Sequence, residues 1–143
     1  MANLTEATPR TYRGETMGRR ATYDAGGTLY EGSAVQLTAA GKLENATGAG
    51  TTFAGFADGS TSADGDRLVC LIEGTVHLTG VAKGSSWDAG DVGEIVYATD
   101  GNTFTLASGS AQDVGRVVEI ESMSGAAATV WVAFTAKGML DHS

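Results

Sequence analysis

The residues best suited to chemistry in this chain are two histidines, one cysteine and two groups of carboxylates, and the setting of each argues against it. A Ser–His–acid arrangement needs a positioned imidazole. His142 is next to last in the chain, and His77 alternates with threonines on what reads as the outer face of a strand. No G-x-S-x-G elbow is present to hold a nucleophile. Cys70 lies inside the most apolar stretch, where burial raises a thiol's pKa and makes it inert. With no second cysteine it forms no internal bridge. Residues 58–66 resemble a calcium loop, with Asp58, Asp64 and Asp66, but Ala63 stands where the sharp-turn glycine belongs and Val69 where the bidentate glutamate belongs. Asp88 and Asp91 flank a glycine turn and read as turn residues. A carbohydrate-cleaving carboxylate pair needs aromatic platforms beside it, and two Trp, four Tyr and four Phe leave few to spare from a core. No Walker loop or G-x-G-x-x-G occurs among the 21 glycines. The reading is therefore of a non-enzyme without metal or cofactor.

The glycines act instead as punctuation. Apart from residues 1–13 and 126–137, nearly every interval between them is nine residues or fewer, against about 11–12 for a mean helix. Between them, apolar and polar residues alternate, with many Val, Thr, Phe and Tyr. That pattern predicts an all-β domain of many short antiparallel strands, a compact barrel-like fold. Expected strands cover residues 34–37, 42–44, 52–57, 67–73, 75–79, 94–99, 103–107, 114–121 and 128–135. Phe53 and Phe56 fall on opposite faces of their strand by simple alternation. The segment RLVCLIE, residues 67–73, is apolar on both faces and belongs in the middle of a layered structure. Asp100-Gly101-Asn102 is a hairpin signal, because these residues tolerate the torsions of a tight turn. Residues 84–90 read as one short helical turn, with Trp87 plugging an end of the sheet stack. Trp131 points away from Val130, Val132 and Phe134 and needs cover, from its own chain or from a neighbouring subunit. Trp87 and Trp131 are thus the candidates for a subunit interface.

Charge divides the chain. Residues 1–20 carry Arg10, Arg13, Arg19 and Arg20 against Glu6 and Glu15, a net +2; residues 21–143 carry five basic and fifteen acidic side chains, a net −10. The division predicts an extended basic arm over 1–20, containing the only proline, Pro9, and a single β-domain over 21–143. Tyr12 and Met17 are the arm's large apolar side chains, too few to bury it alone. An acidic body repels nucleic acid, and the arm suits an acidic surface on a partner. No apolar run approaches the ~18–20 residues of a membrane helix, and the N-terminus lacks the apolar core of a signal peptide. A soluble protein made in a cytosol is expected, with neither membrane nor nucleic acid as partner.

Several segments occur in an order that resembles the phage head decoration proteins, also called capsid cement or stabilisation proteins. They are Gly32-Ser33-Ala34-Val35-Gln36-Leu37, Phe53-Ala54-Gly55-Phe56-Ala57, Glu73-Gly74-Thr75-Val76-His77-Leu78, Ala89-Gly90-Asp91-Val92-Gly93 and Val114-Gly115-Arg116-Val117-Val118. Gly41-Lys42-Leu43 followed by Phe53-Ala54-Gly55-Phe56 is similar to the lambda type of that family. The likeness spans roughly residues 30–134 and rests on short glycine-based motifs. It implies a β-barrel or β-tulip domain that binds the outside of an icosahedral capsid, commonly as a homotrimer at three-fold positions, and cements neighbouring major capsid subunits. It implies no catalysis and no cofactor, and a place on the virion surface. Arg10, Tyr12, Arg13, Met17, Arg19 and Arg20 are the candidate capsid contacts. A glycan-binding or structural β-module of a phage tail or fibre is the alternative, with Trp87 and Trp131 as its sugar platforms.

Overall fold

The computed structural model describes residues 3–13, 19–47, 52–107 and 112–136. Its strands are β1 (Tyr12–Arg13), β2 (Arg19–Gly26), β3 (Ala34–Leu37), β4 (Leu43–Asn45), β5 (Thr52–Ala57), β6 (Asp64–Ala82), β7 (Ile95–Asp100), β8 (Thr103–Thr105), β9 (Gln112–Ser124) and β10 (Ala127–Thr135). One 3₁₀ turn, Ala89–Asp91, is the only helical element among the described residues. The chain is an all-β domain containing a closed five-strand barrel with additional strands.

β6 organises this fold. Alternation and glycine spacing suggest two strands over 67–79, yet one strand of 19 residues runs through Gly74 and Gly80. Gly74 stays within the ladder, opposite Phe134, and Gly80 takes a left-handed φ of 64°. Thr79 and Gly80 together face Thr129, which makes a bulge and turns both Leu78 and Val81 inward. A second bulge leaves Ile72 as the extra residue, since Arg19 faces Glu73 while Arg20 faces Leu71. The two bulges let one strand serve two cores. Leu68, Cys70 and Ile72 line one apolar cluster, while Leu71, Val76, Leu78 and Val81 line another.

The pairings close on themselves through β6 in two circuits. In one, β6 pairs β10, β10 pairs β9, β9 pairs β7, β7 pairs β8, and β8 returns to β6. In the other, β6 pairs β2, then β4, β3 and β5 follow, and β5 returns to β6. Each circuit contains one parallel contact, Ala82 with Thr105 and Ala25 with Leu43; the remaining pairings are antiparallel. Closure removes most of the sheet edges that invite aggregation.

A bulge also corrects the alternation over 52–57. Gly55 faces Val35 and Phe53 faces Gln36, so Ala54 is the extra residue. Phe53 and Phe56 therefore share one face, their rings 5.9 Å apart edge-to-face, while Ala54 and Ala57 line the other core. Gly55 has φ 115° and lies against the Leu71 carbonyl, where no side chain fits.

The division at residue 21 falls inside β2. β1 and β2 lie along the same edge of β6, with Arg13 opposite Thr75 and Arg19 opposite Glu73. Residues 3–13 thus lie against the body, with main-chain partners on β6 for residues 11–13 and on Glu31 for Thr8 that a solvated arm would lack.

Candidate interaction surface

Outward-facing residues of β1, β6, β10 and β9 form a polar–aromatic face centred on Trp131. Register places Trp131 between His77 of β6 and Glu119 of β9. The Arg13 guanidinium lies over the indole, 4.2 Å from the ring centroid, and donates to Glu119 Oε1 at 2.5 Å. The His77 ring packs 4.8 Å from Trp131, and its Nε2 lies 2.9 Å from Glu121 Oε1. That hydrogen bond is the main reason the Glu121 carboxyl sits below its usual range. The exposed Trp131 face is therefore covered from within the chain, by Arg13 and His77. The outward tryptophan was legible in the sequence; pairing of residue 13 with residue 75 had no local signal.

The other arginines of the first twenty residues also find partners in their own chain. Arg19 pairs with Glu73 at 3.6 Å and Arg20 with Asp58 at 3.0 Å. Both pairs are solvent-exposed and contribute little stability each. Arg10 does not project from an extended arm as the sequence suggests. Its side chain turns inward over the rings of Phe56 and Phe104, 5.6 and 5.2 Å from their centroids. Its Nε donates to Gly32 O at 2.5 Å and its Nη2 to Asn102 Oδ1 at 2.8 Å. Burial lowers its pKa. Tyr12 also turns in, against Phe134 at 6.2 Å, and burial foremost raises its pKa. Arg13, Arg19 and Arg20 remain at the surface, and Met17 and His142 lie outside the described residues.

Trp87 is not a surface residue. It is 6% exposed in the first core, and its indole N–H donates to Val81 O at 3.0 Å. Asp88 and Asp91, which read as turn residues in the sequence, hold the turn beside it. Asp88 and Asp91 form a reciprocal capping box around the 3₁₀ turn. Lys83 Nζ donates to both oxygens of Asp91 at 2.8 and 2.7 Å, which lowers the carboxyl pKa and raises that of the amine.

The carboxylates of residues 58–66 are engaged separately, Asp58 by Arg20, Asp64 by Lys42 and Asp66 by its own loop. Asp66 accepts from the main-chain N–H groups of Ser62 and Ala63, both at 3.0 Å, and these bonds lower its pKa. Among the described residues no three His, Cys, Asp or Glu side chains gather as a metal site would require. Cys70 is fully buried, and burial pushes its thiol up to about 12. His77 touches a tryptophan and a carboxylate, the geometry of a packed surface ring.

Comparison of the chain with known protein families and with curated protein sequences finds no match. Among the described residues no helix is long and apolar enough to cross a membrane.

Proposed function

We propose that this protein is a structural component of a phage virion, binding the outer surface of an icosahedral capsid as a homotrimer and cementing neighbouring major capsid subunits. The observation that carries the reading is the face around Trp131. It joins four strands, presents Arg13, Glu119 and Glu121 of both signs, and has a rigid aromatic centre. Aromatic residues and arginine are enriched at protein interfaces. The motif order that resembles the decoration family supports the same reading. Three copies docking together gain avidity from contacts that are individually weak. Arg13 and Trp131 are the docking residues, with Arg19 and Arg20 beside them.

Co-sedimentation with expanded and unexpanded capsids tests this. Binding to expanded shells is expected, and Trp131→Ala is expected to weaken it by about 2 kcal/mol, some thirtyfold, as for an interface anchor. Absence of binding to either shell form sinks the proposal. For the glycan-binding alternative, Trp87 is buried and Trp131, with Arg13 over its ring, is the one of its two candidate platforms left at the surface.

A further inference from the structure

We propose that residues 3–13 form a latched strap that opens as one unit while both strand circuits stay folded. This goes beyond docking and does not depend on it. The strap crosses the molecule on few anchors. Asn3 Oδ1 accepts from Gly101 N–H at 2.7 Å, Thr8 N–H donates to Glu31 O at 2.8 Å, and Thr11 O accepts from His77 N–H at 2.9 Å. Only the two residues of β1 join the β6 ladder. Residues 5–9 are exposed, so their ordering entropy is offset by little burial.

Two side chains of the strap turn inward, Tyr12 against Phe134 and Arg10 over Phe56 and Phe104, and of these Arg10 is the poor permanent occupant. Arg13, Arg19 and Arg20 each have a carboxylate partner; Arg10 has a backbone carbonyl, a side-chain amide and two ring faces, and no ion pair among the described residues. A guanidinium withdrawn from water without a counter-charge retains part of its desolvation penalty. Opening returns that charge to water, which favours release, while the two hydrogen bonds and the ring contacts favour closure. Arg10 is in this sense the latch. Segments with few apolar contacts and exposed backbone are those that open below the global unfolding free energy. Opening frees the main-chain edge of β6 at Thr75 and Val76, uncovers the Phe104 ring, and presents Arg10, Tyr12 and Arg13 on an extended segment. Of the basic arm read from the sequence over residues 1–20, the open state then frees residues 3–13 with Arg10 and Arg13, while Arg19 and Arg20 stay in β2.

Native-state hydrogen exchange of the full chain, followed by NMR through low denaturant, tests this without any capsid. The amides of Thr8, His77 and Gly101 report the strap; those of Ala46, Leu106 and Val117, which donate to Ala34, Ala82 and Glu94, report the circuits. The three strap amides are expected to share one opening, about 100-fold or more populated than that of the circuits, with a shallow denaturant slope. Arg10→Ala is expected to speed the strap amides about tenfold and leave the circuit amides unchanged. Equal rates and slopes for the two sets in the unaltered chain overturn the proposal. So do three unrelated strap rates, which mean independent fraying, or an Arg10→Ala chain that fails to fold or speeds both sets alike.

Discussion

Gly115 illustrates how single positions constrain this molecule. It faces Phe134 across the β9–β10 ladder and faces Val96 across the β7–β9 ladder, and a methyl group there would overlap the Ala133 carbonyl. Main chain cannot yield as a flexible side chain can. Gly115→Ala is therefore expected to cost about 1–3 kcal/mol as an overpacking change, whereas Gly84→Ala, with open space around it, is expected to stay within about 0.5 kcal/mol. Urea unfolding of both variants measures the contrast, and equal midpoints would refute it. From sequence, Gly84 reads as part of a short turn and Gly115 as a member of the strand expected over 114–121. Gly115 differs because a non-local strand approaches it, and no local pattern carries that information. The same holds for Gln36, whose Oε1 accepts from Thr47 N–H at 3.0 Å and from Gln112 Nε2 at 2.9 Å. That fully buried polar contact, between residues 76 positions apart in the chain, ties β3 to β9.

At the scale of elements, the hairpin of β9 and β10 shows how an edge is managed. Past Val117, β9 has β10 as its only strand neighbour among the described residues. Two bulges, at Val118 and Glu121, break the regular ladder there, and Val118 and Met123 are exposed. Bulges and charges on an edge discourage pairing with another chain. The double substitution Glu119→Val with Glu121→Val is expected to convert this protected edge into a self-associating one, visible by light scattering as concentration-dependent growth beyond the parent's oligomer. No change in scattering would mean that the bulges alone suffice. The hairpin itself was legible, since the expected strands 114–121 and 128–135 fall within β9 and β10, but residues 122–124 continue β9 and the turn is confined to Gly125-Ala126. The hairpin at Asp100-Gly101-Asn102 was legible too, because turn torsions depend on adjacent residues. The 19-residue length of β6 was not, since Gly74 and Gly80 carry the same local signal as true turns.

For the whole molecule, sharing β6 between two circuits couples their stability. Leu68 lies in one apolar cluster and Leu78 in the other, at 2% and 0% exposure. Leu68→Ala and Leu78→Ala are each expected to cost about 2–5 kcal/mol and to shift a single common transition, followed by Trp fluorescence and far-ultraviolet circular dichroism together. Two separable transitions, each sensitive to one variant, would show that the cores fold independently. The charge division also changes meaning at this scale. Three of the four arginines in residues 1–20 meet carboxylates of the acidic body, so the +2 segment neutralises part of the −10 surface in the closed state.

Composition and local pattern were enough to establish an all-β chain, its principal turns, a buried Cys70 and a tryptophan on an outer strand face. Those properties depend on torsional preference and on the two-residue period of a strand, both set by near neighbours. Tertiary structure alone decided that Arg10 turns inward, that Arg13 covers Trp131, and that the strands close through β6. Each of these depends on which distant main-chain edge a segment meets, and bulges at Ala54, Ile72 and Gly80 change the facing of residues in ways strict alternation does not encode.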